Sequence, residues 1–259
     1  MRSIWTGAIG FGLVNIPVKL YSAIEDSDLD LDMLDKKDHG HIRFKRVNEN
    51  TGKEVEWGNI IKAYDLDGQY VELDDADFEK AMPEKTKTIE ISSFSMQQEI
   101  NSLYYENPYY AEPAKGGERA YKLFYAALEK SGKVGLGSFV LRSKEKLCLV
   151  KPMNKVLVVQ RIRFEQEIRD TADLKVPGSE PKPAELKMAL SLIDQLTEKF
   201  DISAWKDSYS ENLMKLIRAK AKGGKVKTAT VKTMHTKTSD LMSQLQASLD
   251  AKRNTKKAS

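Results

Sequence analysis

Residues 1–25, MRSIWTGAIGFGLVNIPVKLYSAIE, read as two consecutive strands and decide the fold class. Ile4, Gly7 and Ile9 alternate loosely with Arg2, Trp5 and Thr6, and Phe11 to Leu20 is apolar and rich in β-branched side chains, which suit a pleated, half-buried surface. A sharp bend is expected near Gly10. A secretory segment needs a cationic start, roughly 7 to 15 apolar residues and a small-residue cleavage site. Here Asn15, Pro17 and Lys19 break the apolar run, so the stretch is expected to be folded structure kept in the mature protein. At 259 residues the chain can bury one sizeable core. No run approaches the roughly 18 uninterrupted apolar residues of a membrane helix, so no membrane partner is expected. Cys148 is the single cysteine and sits in the apolar run LCLV, which excludes an intrachain disulfide and a cysteine zinc cage and suits a reducing cytoplasm.

The net charge of +4 conceals an asymmetry. From Arg218 to Ser259 there are 11 Lys and Arg against two acids, Asp240 and Asp250, whereas the preceding 217 residues hold 31 basic and 36 acidic side chains. A basic tail on a mildly acidic body is the electrostatic footprint of a nucleic-acid-binding appendage; a solvated, disordered terminus is the blander alternative.

The acidic stretch 26-DSDLDLDMLDKKD-38 lacks the glycine and terminal glutamate of a calcium loop and reads as an edge strand or exposed connector. In 41-HIRFKRV-47 a period of two places Arg43 and Lys45 on one face of an expected strand, with Ile42 and Phe44 on the other. Such a face could bind phosphates without reading bases. His39 and His41 have no cysteine nearby, so no metal site is expected. The clusters Gly7, Gly10, Gly12 and Gly132, Gly135, Gly137 lack a phosphate loop's context and suit bulges or bends in β structure.

Strands are expected over 60–66, 70–73 and 87–95, with a turn at Asp67-Gly68 and a short helix over 75–82. The tyrosine-rich 100-INSLYYENPYYAEP-113 has no interleaved basic residue, which favours packing or a subunit contact over stacking on bases. In 117-GERAYKLFYAALEKSG-132, Ala120, Leu123, Phe124, Ala127 and Leu128 form the apolar face of the clearest helix. Strands over 134–141, 146–150 and 156–164 follow, with turns at 143–145 and 152–154. Arg142, Lys144, Lys146, Lys151 and Lys155, with Arg161 and Arg163, are expected to make the densest positive patch of the folded part. Beyond the linker 176-VPGSEPKP-183, Leu186, Leu190, Ile193 and Leu196 mark one helix and Leu213, Leu216 and Ile217 a second, an αα-hairpin suited to docking another subunit. A basic linker over 220–233 leads to a short amphipathic helix with Leu241, Met242, Leu245 and Leu249 in one stripe, then Lys252, Arg253, Lys256 and Lys257.

Several blocks resemble bacterial Ku. They are Phe11-Gly12-Leu13-Val14, Ile16-Pro17-Val18 and Leu20-Tyr21-Ser22-Ala23; Ile42 to Val47; Thr51 to Val55; Ile89 to Phe94; Pro108-Tyr109-Tyr110; Ala120-Tyr121; Val140-Leu141-Arg142; Glu167-Ile168-Arg169; 185-ELKMALSLI-193; and Asp240-Leu241-Met242. They occur in order over about 240 residues. The resemblance implies a mixed, mainly β fold: a Ku-type β-barrel core with a helical insertion and a C-terminal helical arm. It implies three parts: 1–175, the barrel with a DNA-encircling bridge; 176–219, a helical arm for dimer contact; and 220–259, the basic linker, short helix and lysine-rich tail. It implies a homodimeric ring on double-stranded DNA ends that recruits an ATP-dependent end-joining DNA ligase, without catalysis or a cofactor, in the cytoplasm and on the nucleoid. Some relatives carry a cysteine pair near 48-NENTG-52; this chain has none there, so no zinc is implied.

The resemblance leaves contact residues unassigned. Residue type and placement nominate Arg43, Lys45, Arg46, Arg142, Lys144, Lys146, Lys151 and Lys155 as duplex contacts, Lys252, Arg253, Lys256 and Lys257 as a supplementary grip, and Leu241, Met242, Leu245 and Leu249 as the ligase contact. Two rival readings are a Schiff-base lysine acting at abasic ends and a single-strand binder built on the tyrosines.

Overall fold

A computed structural model of the chain describes residues 1–81, 87–223, 242, 244–246 and 248. They form two compact units, one drawn from residues 1–26 with 30–171 and one from residues 27–29 with the described residues that follow 171.

In the first unit, β1 (Trp5–Phe11) and β2 (Val14–Ser22) pair antiparallel from Phe11↔Val14 to Trp5↔Leu20. The reversal lies at Gly12-Leu13, where Gly12 takes φ +57° and Leu13 is fully exposed, so Gly10 stays inside β1 and the bend falls two residues later than expected. Two-residue turns need positive φ, which glycine supplies without strain. The remaining barrel strands are β5 (Thr88–Met96), β6 (Tyr105–Pro113), β7 (Lys133–Leu141), β8 (Lys144–Met153) and β9 (Val156–Ile162). They close in the order β1-β2-β6-β9-β8-β7-β5, and the closing pair, β5 with β1, is parallel. Closure leaves no open sheet edge. The inward rows, including Ile9, Ile16, Val18, Leu20, Ile89, Tyr109, Ala111, Phe139, Val150, Leu157 and Val159, form one core. β5 carries a register shift between Ile91 and Ser93 where it meets β7, and a Cβ on Gly137 would lie 2.1 Å from the Glu90 carbonyl oxygen, so backbone approach explains a glycine there.

One end of the barrel is closed by α2 (Glu118–Ser131). Phe124 stacks on Phe11 with ring centroids 4.6 Å apart and meets Phe94 edge to face. The buried stripe is Tyr121, Phe124 and Leu128, flanked by Ala120 and Tyr125, whereas Leu123 and Ala127 are exposed. The expected apolar face is thus rotated by one position. Tyr121 displaces Leu123 because its ring fills the core while its hydroxyl donates to the Ala111 carbonyl (2.6 Å) and accepts from the Leu157 N–H (2.7 Å).

The turns on either side of β8 are Arg142-Ser143 (φ 51° and 67°) and Asn154-Lys155 (φ 48° and 69°), tighter than the three-residue turns expected. Two positive φ values mark type I′ turns, whose twist matches the flanking strands.

The segment 41–47 is not a strand: it is irregular and exposed, tied down by the single bridges Leu34↔His41 and Val47↔Glu54. Asx turns account for this. The Asp35 carboxylate accepts from Lys37 N–H, Asp38 from Gly40 N–H, and the Asn48 side chain from Asn50 and Thr51 N–H, so local side chains satisfy backbone donors that a ladder would use. β3 (Lys62–Leu66) and β4 (Gln69–Leu73) form a separate hairpin that turns at Asp67-Gly68, followed by α1 (Asp75–Ala81).

The second unit contains α3 (Pro183–Leu196) and α4 (Ser208–Ala221), the latter capped by the Asp207 carboxylate on Tyr209 and Ser210 N–H. Leu186, Leu190, Ile193 and Leu196 of α3 are all exposed, as are Phe200, Trp205 and Tyr209 beyond it. Met242 and Leu245 are helical and half-buried; Leu241 and Leu249 lie outside the described residues. Among the described residues, no helix is long and apolar enough to cross a membrane.

Candidate nucleic-acid interface

Strand parity sorts the cations. On β8, Cys148 and Val150 point into the barrel core, so Lys146 and Lys144, two and four positions earlier, belong to the same inward row as it reaches the end opposite α2. Register sets Lys146 beside Phe139 and Lys144 beside Leu141, and Arg142 follows in the turn. On β9 the inward row Leu157, Val159 ends at Arg161, which faces Cys148. The four cations line a recess of about 480 Å³ with Ile4, Ser22, Asn107, Tyr109 and Leu141.

These cations differ in how far they are neutralised. The largely buried Arg161 donates from Nη2 to Glu106 Oε2 at 2.6 Å. Arg163 lies 3.9 Å from the same carboxylate and donates from Nη1 to the carbonyls of Leu103 (2.9 Å) and Tyr105 (2.8 Å). Together they clamp β6 to β9 where the ladder shifts between Tyr105 and Pro108. Among the described residues, the buried Arg161 Nε has no hydrogen-bond partner. Among the described residues, Arg142, Lys144 and Lys146 form no salt bridge.

Lys151 and Lys155 stand apart from this group. Lys151, an odd number of positions from Lys146, lies on the outer face with Leu147 and Leu149, its Nζ 5.2 Å from the Tyr105 ring centroid, and burial holds its ammonium below the usual lysine range. Lys155 sits in the turn at the far end of β8, about 30 Å from Arg142 at the rise of an extended strand. It lines a different cleft, of about 850 Å³, with Tyr21, Tyr110, Tyr121 and Lys122. The expected single patch of seven is therefore divided among a mouth, an outer face and the opposite end.

In the exposed segment before β3, Lys45 pairs with Glu54 at 2.6 Å, the Arg46 guanidinium lies 4.4 Å over the Trp57 ring, and Arg43 is exposed. Lys252, Arg253, Lys256 and Lys257 lie outside the described residues. Of the tyrosines, Tyr109 is in the core, and Tyr104 and Tyr105 pack on the cluster of Val134, Leu149 and Ile162, which is the packing role expected for them. Cys148 is wholly buried, and burial pushes its thiol up to about 12. The reading from sequence missed Glu106 as the counter-charge of Arg161, and Ser22 and Asn107 as polar walls of the recess; the strand parity that separates Lys146 from Lys151 was legible.

The barrel thus carries a helix at one end and, at the other, three cations that make no salt bridge among the described residues. Residues 10–188 match a family described as the Ku70/Ku80 beta-barrel domain. The chain is 37% identical over 265 aligned positions to the "Non-homologous end joining protein Ku" of Coxiella burnetii, covering 99% of this chain and 97% of that protein. It is 38% identical over 256 positions to the protein of the same name from Archaeoglobus fulgidus (97% and 99% covered) and 36% identical over 260 positions to that of Bacillus subtilis (98% and 83%). The chain belongs to the Ku family, and the mainly β, Ku-type barrel with helices expected from its sequence is the fold observed.

Proposed function

We propose that this chain binds double-stranded DNA ends as a homodimeric ring without reading their sequence, protects them, and brings an ATP-dependent end-joining ligase to double-strand breaks. The relatives it matches are named for non-homologous end joining. The observation that carries the reading is Arg142 in the turn with Lys144 and Lys146 on β8: among the described residues these cations make no salt bridge, and on the end of a barrel they suit contacts to phosphate rather than to base edges. Arg43, Lys45, Arg46, Lys151 and Lys155 are the further candidates for the duplex, and Lys252, Arg253, Lys256 and Lys257 for a looser grip. The exposed α3 residues Leu186, Leu190 and Ile193 favour a second copy as their cover. Leu241, Met242, Leu245 and Leu249 are the candidate ligase contact, so removing the last 25 residues should weaken ligase stimulation more than DNA binding. A protein with this role would act in the cytoplasm, on the nucleoid, and that location is part of the proposal.

The decisive experiment is a gel shift of one linear duplex against the same duplex closed into a circle, at matched salt. A threading ring binds the linear form and stays trapped on it after circularisation. Equal binding to both forms would reduce the protein to a general DNA binder and remove the ring.

A further inference from the structure

We infer that the recess at the open mouth of the barrel is a phosphomonoester site, at which the cations offered above for phosphate contacts take the terminal phosphate of an end rather than the internal backbone. Arg142, Lys144, Lys146 and Arg161 reach it from a turn and two adjacent strands, and Ser22 and Asn107 add neutral hydrogen-bonding groups to its wall. Four cations from three elements around one concavity differ from a flat basic stripe. A recess of about 480 Å³ cannot admit a duplex, but it matches the lower range of small-ligand pockets and has room for one phosphate with its sugar.

Two observations point to an anion. Glu106, shared with Arg163 outside the recess, pairs with Arg161 but with none of Arg142, Lys144 and Lys146, so three positive charges around the recess have no carboxylate partner among the described residues. The Arg161 guanidinium is fixed at the wall of the recess by its Nη2 bond to Glu106 at 2.6 Å, so its charge is held in place before a ligand arrives. Charge then selects the species. A phosphomonoester carries about −1.5 to −2 at pH 7, whereas each internal phosphodiester carries one negative charge, so a tricationic recess favours the terminal group.

The phosphate could come from the 5′ terminus of a broken duplex or from a free phosphorylated small molecule. For the first source the inference rests on the end-binding reading above. It would let the protein favour ends that already bear the 5′-phosphate that a ligase must activate.

The test uses the full chain and a duplex of about 30 base pairs closed by a hairpin at one end, with either a 5′-phosphate or a 5′-hydroxyl at the other; a duplex of this length exceeds the site sizes of single modules. Anisotropy titrations give the ratio of the two affinities, and pyrophosphate is titrated separately by calorimetry. The expected ratio is about tenfold, the effect of one additional charge-assisted contact. It should shrink below about pH 6, where the monoester dianion takes up a proton and becomes a monoanion. In Arg142→Gln/Lys146→Gln the ratio should fall to about one, whatever the overall affinity. Lys144→Gln, at an exposed position, serves as a second variant should the first be misfolded by circular dichroism. A ratio of one in the unaltered protein, with pyrophosphate binding that the variants lose, supports the site with a small phosphate as its source. A ratio of one without pyrophosphate binding overturns the inference and leaves end binding standing, as does a preference that survives in the variants. Failure to bind either duplex strikes the end-binding reading instead, and pyrophosphate alone then decides the recess.

Discussion

Tyr121→Phe isolates one hydroxyl that joins three elements of the barrel. The Tyr121 hydroxyl donates to the Ala111 carbonyl of β6 and accepts from the Leu157 N–H of β9, at 2.6 and 2.7 Å, and all three residues are buried. Ala111 and Leu157 are register partners, so the hydroxyl bridges the last rung of the β6–β9 ladder and ties it to α2. Phenylalanine keeps the ring in the core and leaves a buried carbonyl and a buried N–H unsatisfied. Each such group costs about 1–3 kcal/mol, and partial relaxation of the rung reduces the sum to about 2–4 kcal/mol. At about 2–4 °C per kcal/mol for a chain of this size, the melting temperature should drop by about 4–16 °C. Urea titration and calorimetry of the two proteins measure both quantities. Burial raises the Tyr121 phenol above its ordinary value of 10.0. Its stabilising contribution is therefore complete below about pH 10 and is lost as pH rises through the higher folded value. The stability difference between wild type and variant should accordingly narrow in alkali. Tyr21 and Tyr125 are also raised, chiefly by hydrogen bonds to Glu112 and Glu129, but both proteins retain them and their effect cancels. A loss below about 0.5 kcal/mol would mean that Ala111 and Leu157 close on each other directly, refuting the argument for the bridge.

The exposed cations before β3 should act on the salt dependence of binding. Arg43→Gln/Lys45→Gln/Arg46→Gln should lower the slope of log K against log salt by about 2–3, at roughly 0.9 per phosphate contact, in anisotropy titrations; an unchanged slope would remove this segment from the interface. The Lys45–Glu54 pair is exposed and yields to a phosphate at little cost. Lys151→Met should leave the melting temperature unchanged or raise it, because the half-buried ammonium already sits in surroundings that disfavour its charge; a fall of more than about 1 kcal/mol in urea would show that its contact with Tyr105 outweighs desolvation. Leu190→Glu/Ile193→Glu, on the exposed α3 face, should convert a dimer to a monomer in light scattering and abolish retention on circularised DNA, whereas an intact dimer would place the subunit contact elsewhere.

Legibility from sequence followed the range of the interactions involved. The β-branched runs of β1, β2 and β9 and the Asp67-Gly68 turn announce themselves through neighbouring residues, so their strands lie close to where they were expected. Arg142-Ser143 forms a type I′ turn without glycine, and Asn48, Asp35 and Asp38 fold the 34–54 region into knuckles through side-chain bonds that a two-residue period does not register. Tyr121 was hidden for another reason: its place in the α2 stripe depends on hydrogen-bond partners in strands 10 and 36 residues away. The same distinction governs the cations. Seven basic residues counted along the hairpins look like one patch, but the inward row of Cys148 and Val150 fixes Lys144 and Lys146 at the mouth and forces Lys151 outward. The alternation that builds the hydrophobic core thus also selects which charges converge. A one-residue slip of β8 would exchange Lys146 for Leu147 on the inward row, so the cationic recess depends on the same register that the buried Cys148 and Val150 enforce.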